Sequence, residues 1–103
     1  MDDPLQALQA WYAQQCNGDW EHRWGVEITT LDNPGWRVQI DLVGTALEGR
    51  DFKSFTEPVN ALDFPGCDRW LDCSIKDDVW QGAGDETKLT PILQTFLAWA
   101  NSQ

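Results

Sequence analysis

Residues 18–45, GDWEHRWGVEITTLDNPGWRVQIDLVGT, decide how this chain folds. From Trp24 the side chains alternate: Trp24, Val26, Ile28 and Thr30 point one way, Glu27 and Thr29 the other. Asp32-Asn33-Pro34-Gly35 is turn chemistry, with Pro fixing φ and Gly accepting φ > 0. Trp36, Val38, Ile40 and Leu42 then form a second apolar face, opposite Arg37, Gln39 and Asp41. Two alternating runs about a Pro-Gly turn are a β-hairpin. Pairing parity favours a three-residue loop, Asn33 to Gly35, which sets Thr30 opposite Val38 and Ile28 opposite Ile40. A one-residue slip would turn one strand's apolar face into water.

Upstream, residues 3–15 read as a helix. Asp2 or Asp3 can cap it, and Pro4 suits the first turn, where its missing N–H costs nothing. Leu5, Leu8, Trp11 and Tyr12 share one stripe, and Asn17-Gly18 supplies the stop. Downstream, Glu48-Gly49-Arg50 is a second turn, and Phe52 to Thr56 is a weaker strand that continues the meander. Glu57 to Asp68, with its prolines, reads as loop. Arg69 to Lys76 alternates again, with Leu71, Cys73 and Ile75 on one face and Trp70, Asp72 and Ser74 on the other. Asp77-Asp78 turns the chain into a last short strand, Val79 to Ala83. Asp85 or Thr90 can cap a final helix that starts by Pro91 and ends near Ala100, burying Leu89, Ile92, Leu93, Phe96, Leu97 and Ala100. The order is helix, four or five antiparallel strands in a meander, helix. That is a two-layer α+β fold, as a single domain over residues 1–103.

A chain of 103 residues with 42% hydrophobic content can bury one modest core. Seven Trp residues exceed ordinary usage, and Trp serves both cores and interface anchors. A net charge of −10 repels nucleic acid and anionic membranes and draws cationic partners inward. The seven basic residues are scattered singly, so no basic stripe for nucleic acid exists. No apolar run approaches the ~20 residues of a membrane span, and the acidic N-terminus is unlike a signal peptide. With an odd set of cysteines, Cys16, Cys67 and Cys73, the expectation is a cytoplasmic protein with reduced thiols.

Catalytic chemistry is sparse. Asp19, Glu21 and His22 form an acid–His cluster, but no motif sets a nucleophile beside them. The C-x5-C spacing of Cys67 and Cys73 is not the paired pattern of structural zinc. Gly82-Ala83-Gly84-Asp85 lacks the lysine and glycine spacing of a phosphate loop. No catalytic residue, cofactor or metal is therefore expected. The remaining signal is the solvent face of the sheet, carrying Glu27, Gln39, Asp41, Trp70 and Asp72, with Trp80 as a further candidate. Aromatic side chains framed by carboxylates resemble an interface centre with an acidic rim. Should Trp70 and Trp80 both be buried, the surface would move to the loops Asp19–Arg23 or Glu57–Asp68.

Several blocks together resemble the bacterial immunity protein 53 family. They are Trp11-Tyr12, C-N-G-D-W-E-H at 16–22, G-V-E-I-T-T-L-D-N-P-G-W at 25–36, I-D-L-V-G-T at 40–45, G-A-G-D at 82–85 and the closing helix with Leu93, Phe96, Leu97 and Trp99. Residues 57–69 match no motif, and Glu86 stands where related chains have proline. The resemblance implies a stoichiometric inhibitor that protects a cell from its own polymorphic toxin. Charge adds a hint, since a −10 chain would associate quickly with a cationic nuclease. Asp19, Glu21, Glu27, Asp41, Trp70 and Asp72 are the expected toxin-contacting residues, on a monomer or weak homodimer. The competing readings are a small enzyme centred on Asp19, Glu21 and His22, and a homodimeric interaction domain.

Overall fold

The computed structural model describes residues 3–32, 34–57 and 70–102. Its elements are α1 (Pro4–Gln15), a single 3-10 turn (Trp20–His22), β1 (Val26–Leu31), β2 (Gly35–Asp41), β3 (Phe55–Glu57), β4 (Leu71–Lys76), β5 (Val79–Gly84) and α2 (Leu89–Ala100). The expected Glu57–Asp68 loop, with Cys67, lies almost wholly outside the described residues.

The strands form one antiparallel sheet in the order β1-β2-β5-β4-β3. It is a hairpin, β1–β2, joined to a three-strand meander, β3–β4–β5, through the β2–β5 pair. The segment after the hairpin therefore does not pair with β2. It crosses to the far edge, and the last strand takes the central place.

The first hairpin forms with the expected parity but a register two residues away. Ile28 pairs with Val38 and Thr30 with Trp36, and the ladder runs on to Leu31 opposite Gly35. The turn thus falls between Leu31 and Gly35, and Asn33 within it lies outside the described residues. Gly35 is not the turn's left-handed residue. It is a strand residue at a close approach, since a Cβ there would stand 2.3 Å from the Gly84 carbonyl oxygen.

Local chemistry explains the helices. Asp3 caps α1, its carboxylate accepting from the Leu5 N–H at 3.0 Å, and Pro4 follows at the first helical position. Gly18, at φ +91°, turns the chain after the helix. Leu8 is buried and Trp11 and Tyr12 are half-buried, but Leu5 is 57% exposed and does not belong to the buried stripe. On α2, Ile92, Leu93, Phe96 and Leu97 are buried as their spacing requires. No helix among the described residues is long and apolar enough to cross a membrane.

Both helices lie on one face of the sheet, against Val38, Ile40, Cys73 and Trp80, all fully buried. Phe96 is the centre of an edge-to-face aromatic cluster, 5.1 Å from Trp11 and 5.3 Å from Trp80. Each such pair adds about 0.5–1.5 kcal/mol beyond the area it buries. Trp80 is therefore a core residue, which corrects its candidacy for the solvent face. The Asp77–Asp78 turn has two residues with φ of +54° and +62°, a type I′ geometry. That turn pairs Lys76 with Val79 and Ile75 with Trp80, so Trp80 shares the apolar face.

Glycines let α2 come close. A Cβ at Gly82 would stand 2.5 Å from Ile92 Cγ2 and 2.8 Å from the Trp80 ring. A Cβ at Gly84 would stand 2.6 Å from Lys88 Cβ. Asp85 then secures the strand-to-helix corner. It is 1% exposed, and its carboxylate accepts from the Trp70 N–H at 2.7 Å, the Thr87 N–H at 2.8 Å and the Lys88 ammonium at 3.0 Å. Burial opposes its charge. The Thr87 hydroxyl and amide, the Trp70 amide and Lys88 together outweigh that and hold the carboxyl well below the usual range.

Replacing Gly82 with Ala is expected to cost about 1–3 kcal/mol and to lower the melting temperature by several degrees in a thermal melt. Asp85→Asn is expected to lower stability at neutral pH. A depressed carboxyl contributes stability above its unfolded value near ~4 and loses that contribution as pH falls through the folded value. Acid titration should therefore destabilise the natural chain below about pH 4, with this component missing from Asp85→Asn.

Candidate functional site

The opposite face of the sheet carries no helix among the described residues, and the register lays its side chains out in rows. One row runs Asp41–Val79–Lys76. The next is Glu27–Gln39–Gln81–Ser74. The third is Thr29–Arg37–Ala83–Asp72–Thr56. This is a broad polar surface with neutral residues along β5.

Glu27 and Asp41, two of the expected contacts, are brought together. With Gly25, Val26, Gln39 and Val79 they line a hollow of about 240 Å³. Asp41 is braced there, because one carboxylate oxygen accepts from the Gly25 N–H at 2.9 Å. Asp72 sits two strands away from β2 and accepts from the Thr56 hydroxyl at 2.7 Å. Trp70 is half-buried just before β4, and its N–H is engaged by Asp85. It lies at the opposite end of the sheet from Asp41, so the structure does not group it with Glu27 and Asp41.

The end of the sheet that holds Asp41 gathers further acid. The exposed Asp77–Asp78 tip packs beside β2, and the Leu42 N–H donates to the Asp78 carbonyl at 2.9 Å. Sequence reading took these two only as a turn. Their place beside Asp41 follows from β5 lying next to β2, which no local pattern encodes. The Asp19–Arg23 loop belongs to this end too, because Trp20 Nε1 donates to the Val43 carbonyl at 2.7 Å.

That loop separates into a scaffold and a display. Trp20 is buried and packs edge-on against Trp11 and Tyr12, with ring centroids at 6.3 and 5.8 Å. Asn17 Oδ1 accepts from the Asp19 and Trp20 N–H groups. The two Glu21 oxygens accept from the Asn17 and Gly18 N–H groups, each at 2.9 Å. Backbone N–H groups, its own first and then those of Asn17 and Gly18, hold the Glu21 carboxyl below its ordinary value. Glu21 is thus a brace, and its carboxylate is tied to the loop backbone. Asp19, His22 and Arg23 are left exposed, with Asp19 and Arg23 in a loose ion pair at 3.7 Å.

Trp20→Ala is expected to destabilise the fold by about 3–5 kcal/mol. His22→Ala should leave the melting temperature of the exposed loop variant within the effect of about 0.5 kcal/mol. Thermal melts of the two variants check both outcomes.

The arrangement is a broad polar face with an acidic end, and the described residues set no nucleophile–base pair within it. The family model described as Immunity protein 53 matches residues 5–101, nearly the whole chain. No curated protein and no solved structure matches. The match spans both helices and every strand of the sheet, and on that ground the chain belongs to the immunity protein 53 family.

Proposed function

We propose that this chain is a cytoplasmic immunity protein that neutralises a cognate bacterial toxin domain by stoichiometric, non-catalytic binding. Family membership supports the immunity role. The observation that carries the choice of surface is the sheet face that no helix among the described residues covers, with Glu27, Asp41, Asp77 and Asp78 collected at one end. Asp19 extends that end onto the neighbouring loop. Asp72 and Trp70 mark the farther side of the same face.

Charge defines the partner's chemistry. A net charge of −10 accelerates encounter with a positively charged surface and weakens as salt screens it. A nuclease toxin with a cationic cleft fits this field, and covering such a cleft would exclude its nucleic-acid substrate. Rim charges of this kind act mainly on association rate, whereas the packed centre of the contact governs dissociation.

The test is co-purification with the toxin encoded beside this gene, followed by calorimetry and stopped-flow association. A one-to-one complex is expected, with an association rate that falls as salt rises. Glu27→Lys combined with Asp19→Lys should slow association about tenfold without changing the melting temperature. An acidic toxin, or association indifferent to salt, would overturn the electrostatic reading. Protection that survives His22→Ala would separate inhibition from an enzyme centred on Asp19, Glu21 and His22.

A further inference from the structure

Among the described residues the sheet has two edges, and they are built differently. β3 is described over three residues, Phe55–Glu57, whereas β1 has six and pairs one-to-one with β2 without a bulge. β1 contains no proline and a single charge, Glu27. Short edges, bulges, prolines and charges are the usual protections against edge-to-edge pairing, and β1 has little of any.

Its free backbone groups can be identified. The Asp41 N–H donates to the Gly25 carbonyl at 3.0 Å, so Gly25 faces β2. Antiparallel pairing alternates, so Glu27, Thr29 and Leu31 also face β2, while Val26, Ile28 and Thr30 direct N–H and C=O away from the sheet. The side chains of those three lie on the helix side, where cover is incomplete.

Apolar exposure collects at this edge. The exposed large hydrophobic side chains among the described residues are Leu5 at 57%, Trp24 at 38% and Ile28 at 36%. Trp24 and Ile28 stand two residues before and after Val26 in the chain. Leu5 and Val26, with Leu8, Gln9 and Tyr12, line a hollow of about 370 Å³ between α1 and β1.

Charge selects the occupant. No Asp, Glu, Lys or Arg occurs in residues 4–18, so the α1 side of this edge is neutral in a chain of net charge −10. A cationic partner is drawn to the acidic end of the open face instead. A neutral flank is where two −10 chains can meet with least repulsion. A two-fold axis through Ile28 makes the strand self-complementary. Ile28 then faces Ile28 of the second copy, and Val26 faces Thr30. Glu27 faces Thr29, so no like charges stand opposite each other.

We infer that β1 is the interface of a homodimer, in which two copies pair antiparallel at Ile28 into one continuous sheet with Leu5, Trp24 and Ile28 covered between neutral α1 helices. Both open faces then lie on the same side of the joined sheet, and the toxin-binding surface proposed above stays accessible. This inference does not depend on the toxin.

The test is the full chain alone, by light scattering and amide hydrogen exchange between about 10 µM and about 1 mM, the range of a weak association. The expected mass rises toward twice 11.7 kDa. The amides of Val26, Ile28 and Thr30 should slow as concentration rises, while the amides of β3 do not change. Added salt should tighten the dimer by screening the −10 charges, the opposite sign from toxin binding. Ile28→Lys places a charge at an already exposed position and should weaken association at least tenfold; Thr30→Lys serves as a second variant and should do the same. A mass that stays at one chain throughout overturns the inference. So does a dimer that survives both variants with Val26, Ile28 and Thr30 unprotected.

Discussion

Everything in this fold depends on how closely α2 can approach the central strand. Gly82 and Gly84 present no side chain to the helix, and a Cβ at either would meet Ile92 or Lys88 within 2.6 Å. That absence lets Ile92 and Phe96 descend onto Val38, Ile40 and Trp80. Interiors are packed as densely as organic crystals, so such an approach cannot be loosened without opening voids. Asp85 follows at once and fastens the corner with hydrogen bonds to Trp70, Thr87 and Lys88. Arg50 fastens the other end of α2. Its guanidinium donates to the Ser102 carbonyl at 3.1 Å and lies over the Trp99 ring.

Seating both helices on one face divides the surface by charge. Residues 4–18 and 89–103 contain no Asp, Glu, Lys or Arg, so the outside of the helix layer is uncharged. The charges fall on the strands, turns and loops. The open face and its acidic end can therefore address a cationic protein. The neutral flank beside β1 is left for contacts that charge would oppose.

Several features were legible because their causes are local. Asp3 and Pro4 start α1, Gly18 turns the chain beyond its Cys16 cap, and the alternation on either side of the turn makes a hairpin. The buried stripe of α2 follows from its spacing. The misreadings arose where a distant backbone intervened. Gly35 looks like a turn glycine, yet it is needed because the Gly84 carbonyl lies against it, and that moves the register by two residues. Phe52 to Thr56 reads as the next strand of the meander, yet the strand spans Phe55–Glu57 and β5 occupies the place beside β2. Trp80 looked exposed because its own short strand is weakly patterned; pairing with Ile75 turns it inward.

The candidate site divides in the same way. Alternation alone places Glu27 and Asp41 on the polar face of the first hairpin, because the side-chain period of a strand is two. The sequence by itself also determined the fold class, the start of α1 and the net charge, whereas α2 starts at Leu89 after Lys88 with neither Asp85 nor Thr90 as its cap. Only the tertiary structure decided that Asp77 and Asp78 join that acidic end, that Glu21 braces a loop, and that Trp70 stands at the far end of the sheet. It alone left β1 as an edge with Leu5, Trp24 and Ile28 uncovered. Those outcomes depend on which strand lies beside which, and strand order is set by long-range packing of glycine-bearing β5 under α2 rather than by any local pattern.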